Sequence, residues 1–517
     1  MSIQRSPFAG VESPVDLTIT ELVFRGLRDR PDETVLTCGL TGERLTAAQT
    51  IETVQRLAGG FLARGLGPGH VIALMAPNMP HYATVFHGSA WSGSTLTTIN
   101  PTYTPDELRH QLNDSGAELL VTIPAFLATA QAGAAGTRVR EIVVIGEAEG
   151  ATPLSAVMGD PLTSEVAVDT ARHVVVLPYS SGTTGLPKGV MLSHRNLVAN
   201  VLQCSGPISI ERGETTLAVL PFFHIYAMQV LMNLYLAKGA SIVTLPRFDL
   251  EAALRLIAEH RVRRFIVVPP VVLALAKHPL VAQHDLSSIT HVMSAAAPLG
   301  AELQQACAAR LGCEVVQGYG MTELSPVSHV VPDGTSRPGA VGVCVADTEC
   351  RITSPETGQP VPQGTEGEVT VRGPQVMLGY LNNPEATART IDADGWLHTG
   401  DLGYIDEAGF LHIVDRVKEL IKVKGFQVAP AELEALIVTR PGVADVAVVG
   451  APDDEAGEVP VAFVVRSPGG EVNEDEIKAF VAEHLARYKH LGRVVFVEAI
   501  PKSPSGKILR RVLRGQL

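Results

Sequence analysis

The sequence predicts an α/β protein, with two α/β subdomains plus a small β-barrel or antiparallel subdomain, and a smaller α+β domain behind them. Three observations carry this. Apolar, strand-length runs alternate with helical patterns from Leu17 to about residue 150, and again from Val174 to about Val330. Such alternation is the mark of parallel sheets covered by helices. From about Gly339 the texture changes to short strands and turns, and after Asp415-Arg-Val-Lys418 a new α+β pattern begins. A chain of 517 residues, 46% of them hydrophobic, can bury several cores.

Within the first block, Thr46 opens a helical pattern that stops at Gly65, and 70–76 reads as a strand. Thr104-Pro-Asp-Glu107 combines an N-cap, a proline at the first helical position and a glutamate returning to the cap, for a helix ending at Gly116. Residues 117–123 and 141–145 read as strands, and Glu147 to about Ala171 as a polar surface loop. In the second block strands are expected at 216–220, 241–245, 264–268 and 291–294, and in the barrel at 349–352, 367–371 and 409–414. The C-terminal unit reads as a helix opened by Ala429-Pro-Ala-Glu-Leu-Glu, strands at 443–449 and 460–466, a helix capped by Asn473 and Glu476, and a strand at 494–497.

The net charge is −13 and no basic block stands out. Nucleic acid and anionic membrane surfaces are therefore not expected partners. The most apolar run, 265–276, is too short to span a bilayer and carries Pro269-Pro270. The first ten residues lack an apolar signal core, and the C-terminus is not a Ser-Lys-Leu address. Six cysteines form no CxxC pair. They read as free thiols, which points to the cytoplasm.

The chemistry concentrates in five stretches. Tyr179-Ser-Ser-Gly-Thr-Thr-Gly-Leu-Pro-Lys-Gly189 lies between two expected strands. Gly182, Gly185 and Gly189 let backbone N–H groups approach a ligand, Ser180, Ser181, Thr183 and Thr184 offer hydroxyls, and Lys188 adds a point charge. This is a phosphate loop without the Gly-Lys-Ser/Thr ending of a Walker A loop; a Gly/Ser-rich surface hairpin is the plainer reading. Gln317-Gly-Tyr-Gly-Met-Thr-Glu323 again carries glycines, with Tyr319 as a flat face for a base, Thr322 as a hydroxyl and Glu323 as a hard oxygen for Mg²⁺. Its third dinucleotide-fingerprint position is Glu323, which disfavours a Rossmann dehydrogenase. Gly395-Trp-Leu-His-Thr-Gly-Asp401 places an acid after a tight turn, where it serves either structure or ribose hydroxyls. Pro221-Phe-Phe-His224-Ile-Tyr226 sets a histidine among aromatics, either as core or as catalyst. Lysines 418, 422, 424 and 507 read equally as surface charge, although Ser505-Gly506 frees the backbone at Lys507 to enter a cleft.

Together these stretches resemble the adenylate-forming superfamily of acyl-CoA synthetases, luciferases and adenylation domains, nearest its 4-coumarate–CoA ligase branch. The resemblance covers nearly the whole chain, with the motifs in order; Asp415-Arg-Val-Lys-Glu-Leu-Ile-Lys-Val-Lys-Gly-Phe-Gln427 adds the hinge and thioester-forming strand. It implies an adenylation domain over 1–415, holding the acyl, ATP and Mg²⁺ sites, and a mobile C-terminal domain over 416–517 with Lys418 as hinge. A carboxylic acid would attack ATP to give acyl-AMP, and the coenzyme A thiol would then displace AMP. Lys507 would stabilise the first transition state. Ser180–Thr184 and Lys188 would hold phosphates, Glu323 the metal, Thr322, Asp401 and Arg416 the AMP, and Gln317, Gly318 and Tyr319 the adenine side. After rotation Lys422 and Gln427 would meet the adenylate while Arg247, Lys424 and Gly425 contact CoA, with His224 as the gate between ATP and acyl pocket. The acyl pocket would comprise Tyr226, Val230, Ala295, Ala296, Gly320, Pro326 and Val327. Val230 and Ala295 depart from the plant pattern toward an apolar, tighter pocket, leaving cinnamate-like, other aryl and medium-chain fatty acids open. A monomer or homodimer is expected. The competing readings are an enzyme loading a carrier-protein thiol, a luciferase-like oxygenase and a non-catalytic acyl-nucleotide sensor.

Overall fold

The computed structural model describes residues 3–11, 14–180, 187–424, 426–453, 456–504 and 506–517. Two large sheets dominate the first four-fifths of the chain. The first has eight strands in the order Gly379–Tyr380, Lys188–Ser193, Val174–Ser180, Thr95–Thr98, Val71–Leu74, Leu119–Thr122, Glu141–Val144 and Thr152–Pro153. Its last six strands are parallel, and the first two joins are antiparallel. The second has nine: Val343–Cys344, Val327–Val330, Glu314–Gly320, His291–Ser294, Arg264–Val267, Thr215–Ala218, Ser241–Thr244, Thr34–Cys38 and Arg44–Thr46. One continuous apolar core underlies both.

The two subdomains are not the two consecutive blocks expected from the sequence. Val174–Ser180 pairs in parallel with Thr95–Thr98 and so belongs to the first sheet. Thr34–Cys38, from the opening block, pairs in parallel with Ser241–Thr244 in the second. A run of buried apolar residues announces a strand covered on both faces but does not say which neighbour it takes.

Helix starts follow the local chemistry closely. Thr46, Thr104, Ser193 and Asn473 each accept a hydrogen bond from the backbone three residues on, and each forms a reciprocal capping box. The expected loop before the phosphate hairpin contains a missed strand, Thr152–Pro153, and a one-turn helix, Leu154–Val157. This segment crosses the helix Ala47–Ala63 at Gly59 and Gly60, where an added Cβ would stand 1.9 and 1.7 Å from the carbonyl oxygens of Asp160 and Val157. Only a residue without Cβ permits that approach.

The expected barrel is an antiparallel sheet of Gln4–Arg5, Glu349–Thr353, Gly367–Arg372, Leu397–Ile405 and Leu411–Arg416, curled so that Leu411 also bridges Gly342. It has a core of its own. Beyond Arg416 the chain builds a last sheet from Phe426–Val428, Ile421–Val423, Gly457–Arg466 and Val443–Asp453, with Arg493–Phe496 parallel to Gly457–Arg466. The helices Pro430–Ile437 and Glu474–His484 bury Leu433, Ile437, Ile477 and Val481 in that unit's separate core. Among the described residues no helix is long and apolar enough to cross a membrane.

Candidate active site

A cleft of about 1160 Å³ gathers residues from Thr98 to Leu509, including Ser180, Lys188, Thr322, Glu323, Arg416, Lys418 and Lys507. The two strands that flank the glycine-rich stretch pair antiparallel: Ser180 ends one, Lys188 begins the next, and the two are register partners. Ser181, Gly182, Thr183 and Thr184 lie outside the described residues, as does Gly425. Glu323 is buried on the short turn Thr322–Leu324 and receives hydrogen bonds on Oε1 from Ser180 Oγ at 3.1 Å and the Tyr380 hydroxyl at 2.8 Å. The Tyr380 ring also lies 4.1 Å below the Lys188 ammonium. Tyr380 thus braces both Lys188 and the buried Glu323 carboxylate. Sequence reasoning missed it because its two-residue strand carries no pattern, and the pairing of Gly379–Tyr380 with Met191 and Val190 brings it in.

Asp401 corrects a local expectation. It does not follow a tight turn but sits within the nine-residue strand Leu397–Ile405, directly paired with Arg416 on the next strand. The turn lies earlier, where Asp392 accepts from the Asp394 and Trp396 amides. Buried Asp401 takes the Tyr319 hydroxyl on Oδ2 at 2.6 Å and the Arg416 guanidinium on Oδ1 at 3.0 Å. The Asp401 charge raises the Arg416 pKa further above its usual range. Burial, reinforced by Asp401, does the same to Tyr319.

The Gln317 side chain turns away from the cleft: buried, it donates to the Leu299 carbonyl at 3.1 Å and to Gln304 Oε1 at 2.8 Å. Its neighbours Gly318 and Tyr319 line a second, narrower cavity, about 40 Å³ by the same measure. All seven expected acyl-pocket residues line it, namely Tyr226, Val230, Ala295, Ala296, Gly320, Pro326 and Val327, joined by Ile208 and Met293, which the sequence did not flag. The Tyr226 hydroxyl is buried there without a hydrogen-bond partner among the described residues.

His224, Ile225, Met321, Thr322 and Lys507 line both cavities and therefore mark their junction. Burial, then the Lys507 charge, pushes the His224 imidazole down to about 3, so the ring is neutral. Its Nδ1 accepts the Tyr226 amide at 3.3 Å. Burial and the Arg416 charge lower the Lys507 ammonium, opposed by Asp401 and Glu323. Lys507 reaches the junction on a stapled loop, in which the Ser503 amide donates to its carbonyl at 2.8 Å and its own amide to Ser503 Oγ at 3.1 Å. Gly506, at φ +80°, lets that loop pass 3.0 Å from Val268 Cγ2 of the large domain, measured from an added Cβ.

The second group of cations stands elsewhere. Lys422, Lys424 and Gln427 are exposed on the hairpin Ile421–Val423/Phe426–Val428 and line neither cavity, and Arg247 is likewise exposed and outside both. Lys418 is exposed at the cleft. Away from the cleft, His291, Glu314 and Asp333 cluster with metal-like spacing. There Arg264 already grips Asp333 at 3.0 and 2.7 Å, so the site has its cation.

The AMP-binding enzyme family profile matches residues 23–381, and that of the AMP-binding enzyme C-terminal domain matches 432–507. The chain is 45% identical to 4-coumarate–CoA ligase 5 of Oryza sativa subsp. japonica, over 99% of this chain and 97% of that protein. It superposes with a TM-score of 0.90 and 27% identity on the anthranilate CoA ligase AuaEII in complex with anthranoyl-AMP, covering 98% of each chain. On MatB from Rhodopseudomonas palustris, at 30% identity over 97% of this chain and 99% of that one, the score is 0.88 for the ATP-bound form and 0.78 for the apo form.

Proposed function

The chain belongs to the AMP-binding enzyme family, and we propose that it joins a 4-coumarate-like aromatic acid to coenzyme A by way of an acyl-adenylate. It is an ATP-dependent, AMP-forming acid–thiol ligase. The observation that carries the substrate reading is the junction: His224, Thr322 and Lys507 line both the polar cleft and the mostly apolar pocket. A carboxylate at the mouth of the pocket then abuts a phosphate chain in the cleft.

The first step brings an anion onto a polyanion. A carboxylate oxygen attacks the α-phosphorus, the bond to the β-phosphate oxygen breaks, and pyrophosphate leaves. Lys507 and Arg416 supply positive charge where it accumulates, in a site whose burial strengthens each interaction. Neutral His224 can pack against the acyl group without adding charge. Tyr319 holds one Asp401 oxygen and Arg416 the other, so the carboxylate is fixed in orientation beside the nucleotide. Both hydroxyls bound by Glu323 fall on the same oxygen, Oε1, and a buried carboxylate lining a phosphate cleft suits Mg²⁺, which needs few protein ligands when phosphates complete its shell. A Mg²⁺ ion held at Glu323 would screen the nucleotide's charge.

For thioester formation the thiol sulfur attacks the acyl carbon and AMP leaves. The exposed hairpin bearing Lys422, Lys424 and Gln427 supports rotation of the C-terminal domain between steps, with Lys418 as pivot. The higher superposition score on the ATP-bound than on the apo form of MatB supports reading the present arrangement as the adenylating one. An apolar pocket around Val230 and Ala295 selects acids mainly by size, at roughly 1–3 kcal/mol per methylene.

The test is pyrophosphate release with ATP, Mg²⁺ and a panel of cinnamic, benzoic and medium-chain fatty acids, with and without CoA. CoA-dependent turnover highest on hydroxycinnamic or cinnamic acids is expected. Preference for fatty acids would overturn the substrate, and release indifferent to CoA would point to a carrier-protein thiol.

A further inference from the structure

The helix Pro430–Ile437 of the C-terminal unit is held by the large domain at both of its ends. Its N-cap is Ala429, whose methyl group can accept nothing, and the orphan amide of Ala431 donates instead to Asp415 Oδ2 at 2.9 Å. Asp415 lies on the strand Leu411–Arg416 of the small antiparallel sheet, is buried, and takes the Arg416 amide on its other oxygen at 2.7 Å. At the far end the Val438 carbonyl accepts from the Lys277 ammonium at 2.9 Å, and Lys277 is the last residue of the large-domain helix Pro269–Lys277. An anion at the first end and a cation at the second both suit the helix dipole. From this geometry we propose that Asp415 and Lys277 are positioning residues, a two-ended clamp that keeps the C-terminal unit turned so that Lys507 sits at the junction, and that sets the balance between the two half-reactions.

A grip on this helix is a grip on the whole unit. Glu434, on the same helix, takes the Val448 amide on Oε1 at 2.7 Å and the buried Arg510 guanidinium on Oε2 at 3.0 Å, and Arg510 also donates to the Val448 carbonyl at 2.7 Å. Helix and central strand are thereby tied to a residue only three positions beyond Lys507, so the clamped helix and the catalytic loop move together. Burial raises the Asp415 carboxyl to about 6, opposed by Arg510 and by the two amides, which leaves an anion at neutral pH. Beside that end Leu402 of the large domain packs with Leu420 and Ala429 in a small apolar joint. Held at one end the helix could still swing about that joint; held at both, it is fixed in direction as well as in place.

Loosening either end acts through the populations of the two orientations. The ratio of the adenylation rate to the thioesterification rate follows that equilibrium whichever orientation dominates, whereas a variant that is merely less well folded loses both rates together. Exposed Lys277 has the smaller share, about two- to fivefold, the scale of a surface charge at a helix end. The buried, charge-assisted bond of Asp415 has the larger, about tenfold. The effect on the half-reactions rests on the ligase reading and the domain rotation above; the joint hold on the two helix ends does not.

The test is Lys277→Met in the full-length protein, a substitution outside both cavities. Hydrogen exchange, resolved to the Ala431 amide by overlapping peptides, should quicken about two- to fivefold, because exchange there waits for release from Asp415. That amide lies about 10 Å along the helix from the substituted contact, so a purely local loss at Val438 would leave it unmoved. The ratio of acid-dependent ATP–pyrophosphate exchange to thioester formation from supplied acyl-adenylate should fall by the same factor, with KM for ATP unchanged. Lys277→Arg, which can still donate to Val438, should restore both readings, and Asp415→Ala should lower the ratio about tenfold. Unchanged exchange at Ala431 in Lys277→Met overturns the clamp, and quickened exchange with an unchanged ratio overturns its part in the reaction. Unmodified protein lacking both half-reactions would fail the ligase reading instead, and the exchange rates would still decide the clamp.

Discussion

At Lys507, burial and the Arg416 guanidinium push the ammonium below the lysine's ordinary 10.5. The protonated form carries the proposed role, so adenylation should fail on the alkaline side at a pH below that value. Lys507→Ala should lower acid-dependent ATP–pyrophosphate exchange about 10²–10³-fold, the usual scale for removing one preorganised electrostatic contact. It should spare thioester formation from supplied acyl-adenylate. Lys422→Ala should do the reverse, because its exposed hairpin lies outside the adenylating cleft. Loss of the same half-reaction in both variants would contradict the division of labour. Single residues of this kind were legible because their loops announce them: Ser505-Gly506 before Lys507, and glycines around Glu323. Tyr380 was not, since nothing beside it in sequence hints that it touches Lys188 and Glu323.

Where elements pack, the helix Ile19–Leu27 shows how a local cap becomes a titrating joint. Its N-cap Thr18 donates to Glu165 Oε2 at 2.6 Å, Ile19 donates its amide to His194 Nδ1 at 3.3 Å, and Thr20 Oγ1 lies 3.0 Å from His87 Nδ1. Burial pushes Glu165 up to about 8, and His87 and His194 down to about 3. The signs are opposite. The folded state holds the Glu165 proton more tightly than the unfolded state, so that contribution is complete below about 4.5 and is lost as pH rises through about 8. The histidines are neutral in the fold, so theirs is complete above about 6.5 and is lost as pH falls toward 3. Glu165→Gln should flatten the alkaline fall in Tm and leave the acid fall, as thermal melts across pH 4–9 would reveal; an unchanged alkaline limb would exclude Glu165 as its source. The helix starts themselves could be read in advance, because a capping box needs only two residues three apart. The seating of Val157 and Asp160 on Gly60 and Gly59 could not, because the partner is about a hundred residues away.

Across the whole molecule, the proposed rotation has a direct test. An added Cβ at Gly300 would lie 3.2 Å from the Ala435 Cβ, a few tenths of an ångström short of the roughly 3.5–4.5 Å Cβ separation of a disulfide, a gap that a small shift of the two helices opens. The pair joins the start of the large domain's helix Ala301–Leu311 to the C-terminal helix Pro430–Ile437. A Gly300→Cys/Ala435→Cys protein, once oxidised, should still release one pyrophosphate per site yet make no acyl-CoA until reduced. Continued thioester turnover in the locked form would refute rotation. The sequence by itself determined the alternating architecture, the cap-defined helix starts, the pairing strands that end at Ser180 and begin at Lys188, and the seven residues that line the smaller cavity. These depend on periodicity and short spacings, which the chain displays locally, or on motifs carried by resemblance. Only the tertiary structure decided that Thr34–Cys38 joins the second sheet, that Asp401 stands in a strand against Arg416, that Gln317 faces inward, and that Lys507 rather than Lys422 occupies the junction. Each of those depends on which distant surfaces bury one another, and burial energy is set by the partner rather than by the segment alone.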